Sequence, residues 1–240
     1  MRPQDLARLL DKLEQHYGPV RFTEPTDPYE LIVYTNCGYP SSQENCRRGF
    51  DALKSSVGIS TAAILGASGR QLATALKAGG IVAELRASRL KLIARLVSVD
   101  FGGALRSVLD ASKAARKALK RFPTIGDPGA DKILLFCAEV PVAAVPSNCH
   151  QVLLRLGLGM ERASYAASYR SAQEALAQLL PRQAAPLKRA YLLLRHHGQE
   201  LCRRSTPLCD RCPVAPRCPY FSSHGGAAQR KVRAAAALSR

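Results

Sequence analysis

Apolar positions recur along most of this chain at three- and four-residue intervals, the spacing that places them on one face of an α-helix. Leu6, Leu9, Leu10 and Leu13 make such a stripe between Pro3 and Tyr17, with Asp5, Arg8, Asp11, Lys12 and Glu14 interspersed. Asp27-Pro28 opens a second helix through the apolar run Tyr29 to Val33. The Asp side chain can cap free N–H groups there, and proline suits the first helical position. Ser41 or Ser42 can cap a third helix running to about Ser55. Helices are expected next at 60–67, 69–78, about 81–98 and about 103–120. After a sharp break at Phe122 to Gly129, they resume at 130–138, 147–156, 161–179 and 186–200, with Val140 to Pro146 as a short extended stretch. No segment alternates at period two long enough to argue for a sheet, so the expected fold is all-α. Residues 221–240, rich in Ser, Gly, Ala and Arg, are expected to be a disordered basic tail.

Composition narrows the class. A hydrophobic fraction of 47% over 240 residues supplies core for one large domain or two modest ones. No run approaches the length of a membrane span, and the charged, amphipathic start is unlike a secretory signal. A reducing cytoplasm is the expected compartment, with nucleoid association if the source is bacterial. The net charge is +17, of which Arg230, Lys231, Arg233 and Arg240 contribute four, leaving +13 for the preceding 220 residues. That excess predicts a polyanionic partner, with nucleic acid ahead of an anionic membrane surface.

Eight cysteines divide into two kinds. Cys37, Cys46, Cys137 and Cys149 are scattered singly and read as small core residues. Cys202, Cys209, Cys212 and Cys218 form a C-x6-C-x2-C-x5-C run, close enough for four thiolates to surround one iron–sulfur cluster or one zinc ion. Spacing alone leaves both open. Arg203, Arg204, Arg211 and Arg217 lie between or beside these ligands and could grip phosphates.

The break Phe122-Pro123-Thr124-Ile125-Gly126-Asp127-Pro128-Gly129 sits between two helices. Gly126 is expected to permit positive φ in a tight turn, and Asp127-Pro128 to start the next helix, with Asp127 as its cap. A turn ending at a helix N-terminus offers free N–H groups to a DNA phosphate, so Thr124, Ile125, Gly126 and Gly129 are candidate DNA-binding residues.

Taken together, three features resemble the endonuclease III family of helix-hairpin-helix DNA glycosylases, over about residues 3–220. Pro28-Tyr29-Glu30-Leu31-Ile32 is similar to the family's Pro-Phe-Glu-Leu-Leu run, and Phe122-Pro123-Thr124-Ile125-Gly126 to its Leu-Pro-Gly-Val-Gly hairpin. The cysteine intervals of six, two and five match at all three places. The resemblance implies a two-lobed fold: a helical barrel lobe at 23–139 ending in the hairpin, and a cluster lobe made of 1–22 and 140–220. It also implies a [4Fe-4S] cluster on Cys202, Cys209, Cys212 and Cys218, and a monomer that binds duplex DNA with the target base flipped out.

The chain departs from the family at its chemistry. Pro128 stands where lyase-competent members carry a nucleophilic Lys, and Pro146 where the family carries an essential Asp. A proline within the chain has no free amine for a Schiff base, so the expectation is at most a monofunctional glycosylase. Asp131, three residues after Pro128, and His150, four after Pro146, are the candidate catalytic substitutes. The alternative is a non-catalytic DNA- or lesion-binding protein on the same scaffold.

Overall fold

A computed structural model describes residues 1–39, 42–110, 112–147 and 149–224. Two compact units divide the described residues: 23–140 form one, and 1–22 together with those from 141 to 224 form the other. Among the described residues every regular element is helical. No helix among them is long and apolar enough to cross a membrane.

The unit of residues 23–140 is built around α2 (Pro28–Gly38), against which α3 (Gln43–Ser56) and α6 (Ala83–Asp100) pack. Helix α2 is buried nearly all round: Leu31, Ile32, Val33, Asn36 and Cys37 are each wholly inaccessible. Its start follows the sequence, since Asp27 Oδ1 accepts the Glu30 N–H at 3.0 Å and Pro28 occupies the first position. The short helices α4 (Thr61–Gly66) and α5 (Gly69–Leu76) are capped by Ser60 and Ser68, and α3 by Ser42. Each such cap contributes about 1 kcal/mol by satisfying an N–H that the helix cannot. Buried leucines and isoleucines, each worth roughly 1.5–3 kcal/mol, then hold these helices together.

Two glycines permit the crowding at the C-terminus of α2. A Cβ on Gly79 would lie 2.0 Å from the Cys37 carbonyl oxygen, and one on Gly49 would lie 2.6 Å from the same atom. Arg86 is also wholly buried there. Its guanidinium donates to the carbonyls of Cys37, Tyr39 and Leu76 at 3.4–3.5 Å, capping the ends of two helices.

The expected single helix at 103–120 is absent. Gly102 and Gly103 adopt positive φ, a 3-10 turn occupies Leu105–Val108, and α7 begins only at Lys113 (Lys113–Leu119). Ser112 is the cause of the late start: its hydroxyl caps the Ala115 N–H, while its own N–H donates to Asp110. Helix α8 (Asp127–Cys137) completes the unit.

In the other unit, α1 (Pro3–Tyr17) packs on α11 (Ala184–Glu200) and α10 (Tyr165–Leu179), while α9 (His150–Arg155) packs on α10 and α11. The α1 stripe is buried as its spacing predicts, with Leu6 and Leu13 fully inaccessible. Arg189 on α11 bridges Asp11 and Glu14 of α1 at 2.8 and 2.6 Å. Residues 219–224 are helical, so the expected disordered tail does not begin at 221; the rest of it lies outside the described residues.

Candidate nucleic-acid interface and cysteine cavity

The hairpin joins α7 to α8. Its turn closes with the Ile125 N–H donating to the Phe122 carbonyl at 3.2 Å. Ile125, expected among the phosphate-facing residues, therefore spends its N–H on the turn, and its side chain is buried. Positive φ falls on Thr124 at 66°, where the sequence pointed to Gly126; Gly126 has φ −91° and is the N-cap of α8. A left-handed conformation costs a β-branched residue roughly 1–3 kcal/mol. Asp127 is correspondingly not the cap: it is the first helical residue, and its carboxylate pairs with Lys120 at 2.7 Å. Pro128 has no N–H to leave unsatisfied, and the N–H groups of Asp127 and Gly129 lie in the first turn, where no intrahelical acceptor exists. Gly129 is tightly placed, since a Cβ there would sit 3.3 Å from the Ile125 side chain.

Asp131 is wholly buried and ion-paired with Arg116 of α7, so it braces the two hairpin helices against each other. Lys132 follows one turn after Pro128, but its ammonium is held 2.5 Å from Glu24, which also accepts from Gln43 at 3.0 Å.

His150 begins α9 and is 8% exposed. Its ring meets Tyr165 edge-on at 5.0 Å. Burial, aided by the Arg204 guanidinium and opposed by Glu161, lowers its pKa below the ordinary 6.5, so the ring is neutral at pH 7. Nδ1 of His150 and Oε1 of its neighbour Gln151 are buried with no hydrogen-bond partner among the described residues. Gln151 carries no sequence signal of its own.

The four clustered cysteines all line one cavity, together with Arg155, His197, Leu201, Leu208, Val214 and Tyr220 among others. Short turns place them: the Cys212 N–H donates to Cys209, the Cys218 N–H to Ala215, and the Leu208 N–H to Leu201. Among the described residues no group of three or more His, Cys, Asp or Glu side chains is spaced to hold a single metal ion. Arg155 fastens the loop by donating to the carbonyls of Cys202, Arg203 and Arg204 at 3.2, 2.7 and 2.8 Å, and to Cys202 Sγ at 3.4 Å. Its guanidinium also lies 4.9 Å from the centre of the Tyr220 ring. On the opposite side, buried His197 places Nε2 at 3.7 Å from Cys212 Sγ and Nδ1 at 2.9 Å from the Tyr17 hydroxyl. Burial pushes the His197 pKa down to about 4, with His16 and His196 adding to the shift. Arg203, Arg204, Arg211 and Arg217 are exposed.

The remaining cysteines are buried thiols, as expected. Desolvation pushes Cys137 up to about 12 and Cys149 up to about 11 and raises Cys37 further, so none is a reactive thiolate at neutral pH.

No protein-family model matches the chain. A Methanocaldococcus jannaschii protein, provisionally named a DNA repair glycosylase, is 24% identical over 208 residues, covering 86% of this chain and 92% of its own length. The Thermotoga maritima endonuclease III is 23% identical over 201 residues, with 83% and 86% covered. Among solved structures, a trapped endonuclease III–DNA covalent intermediate superposes with a TM-score of 0.74 at 15% identity, over 93% of this chain and 99% of that one. A thermostable thymine-DNA glycosylase gives 0.73 at 20% identity, over 92% and 98%. The fold is thus that of the helix-hairpin-helix DNA glycosylases. In sequence and in fold the chain is similar to endonuclease III.

Proposed function

We propose that this chain is a DNA repair protein that binds damaged or mismatched duplex DNA as a monomer. It releases a flipped-out base without cutting the backbone through a Schiff base. The observation that carries the proposal is the hairpin, whose turn delivers the first-turn N–H groups of α8 on a chain with net charge +17. The relatives named for DNA repair, matched along most of their length, support the same reading.

Pro128 supplies no amine, and Lys132, the next lysine on α8, is held by Glu24. Asp131 is committed to Arg116. His150 is the remaining candidate, because a neutral buried imidazole with an unpartnered nitrogen can accept a proton from an attacking water. Unpaired buried polar atoms are uncommon and concentrate where a ligand completes them, and Gln151 Oε1 beside it strengthens the case.

Cys202, Cys209, Cys212 and Cys218 would hold a [4Fe-4S] cluster, and the fit is favourable because all four line a common cavity. With protein supplying every ligand, the cluster's contribution is structural. A thiolate ligand only accepts hydrogen bonds, so His197 would present Nε2–H to Cys212 while Nδ1 accepts from Tyr17. Arg203, Arg204, Arg211 and Arg217, carried on the cysteine loop, would contact phosphates, as would the backbone of Thr124, Gly126 and Gly129 on the hairpin.

The test is a panel of duplexes carrying different modified bases and mismatches, scored for base release and for binding. Release from at least one duplex, lost in His150→Ala with binding retained, is the expected result. Binding without release on every duplex would instead establish a lesion-binding protein, the reading favoured by the prolines at 128 and 146. Borohydride should trap no protein–DNA adduct; an adduct lost in Lys132→Ala would show that this amine had taken over.

A further inference from the structure

We infer that Asn36 is the positioning residue of the hairpin, holding Thr124 in the left-handed conformation that sets the direction of the first turn of α8. The inference rests on the proposed DNA-binding role of the hairpin. Asn36 is a wholly buried amide in the last turn of α2, a helix whose Leu31, Ile32, Val33 and Cys37 are also wholly buried. A buried amide is costly unless its hydrogen-bonding capacity is used, and here it is used on the hairpin. Nδ2 donates to the Ile32 carbonyl at 3.0 Å and, across 87 residues of sequence, to the Pro123 carbonyl at 3.1 Å. With both donors directed at carbonyls the amide orientation is fixed, so Oδ1 faces the Thr124 hydroxyl and accepts from it at 3.2 Å. The two bonds clamp the residue before the strained position and the side chain of that position itself.

The arrangement explains why a threonine is tolerated at φ 66°, a conformation suited to glycine. Glycine would adopt it without assistance. Threonine needs a partner, and its hydroxyl provides the handle by which Asn36 selects this conformation over the extended one. The hairpin is thereby tied to the central helix of its unit rather than to its own local sequence.

The test is a double-mutant cycle of Asn36→Ala and Thr124→Gly, read by amide hydrogen exchange of residues 122–126 in the free protein. Binding of a short duplex carrying a tetrahydrofuran abasic-site analogue gives a second reading. Asn36→Ala should accelerate exchange at Ile125 and weaken binding about five- to tenfold, the effect of one to two lost hydrogen bonds. In the Thr124→Gly background the same change should have a smaller effect, because only the bond to the Pro123 carbonyl is left to lose and the strain at 124 is gone. Thr124→Val, which keeps the β-branch and removes the hydroxyl, covers the case in which Asn36→Ala fails to fold; it should also accelerate exchange at Ile125. Equal effects of Asn36→Ala in both backgrounds, or unchanged exchange in Asn36→Ala or Thr124→Val, would overturn the inference. If exchange follows the cycle but the unaltered protein does not bind the duplex, the positioning role stands and the DNA-binding reading fails.

Discussion

The hairpin of residues 120–129 and the cysteine loop of residues 202–218 are both turns presented to the surface, yet they are held in different ways. The hairpin is fixed by the chain's own side chains: Asn36 clamps Pro123 and Thr124, Asp131 pairs with Arg116, and Asp127 pairs with Lys120. The cysteine loop has a few backbone turns, the Arg155 fastening and four thiols around a cavity. One turn is finished by protein; the other, on the function proposed above, would be finished by a cluster. The difference predicts that the two respond separately to perturbation.

The largest separation should come from the ligands. Cys212→Ala is expected to lose the iron–sulfur absorbance and to expose residues 202–218 to protease, while exchange at 122–126 stays as before. Loss of protection at both turns would break the distinction. Next in size is Asp131→Ala. Removing a wholly buried carboxylate leaves Arg116 unpaired, but that guanidinium is partly solvated, so the expected cost is about 3 kcal/mol in urea unfolding, the low end for a buried pair. A cost below about 1 kcal/mol would mean that Asp131 does not brace the hairpin.

The third effect concerns His150. If it is the proton acceptor, His150→Ala should slow base release about 100-fold with little change in binding. Its folded pKa lies below 6.5, so release should be full at pH 7 and fall as pH drops below that range. The stability sign runs the same way. The unfolded chain takes up this proton first, so the contribution of the buried neutral ring is present above about pH 6.5 and lost as acid is added. Arg204 and Glu161 are the charged groups that act on the ring, and Tyr165 packs against it edge-on. The smallest effect belongs to Lys120→Ala, because the Lys120–Asp127 pair is open to solvent and should contribute less than about 1 kcal/mol.

The helices were largely legible because their signals are local. Asp27-Pro28, Ser42 and the leucine stripe of α1 act within one or two turns of where they stand. Over 103–120 the apolar spacing predicts one helix, yet two glycines and the Ser112 cap interrupt it. At the hairpin the turn was visible but its mechanics were not. The sequence points to the glycine for positive φ, whereas Asn36 makes it available to Thr124. Arg86 and His197 acquire their roles from groups distant in sequence, which no periodicity reports.

The most direct test of the central claim is the salt dependence of binding to a lesion-bearing duplex. A hairpin and arginine-bearing loop that grip phosphates predict a binding constant falling linearly with salt on logarithmic axes, by about 0.9 per phosphate neutralised, with a shallower slope in Arg203→Ala/Arg204→Ala. A flat response, or no binding at low salt, would contradict it.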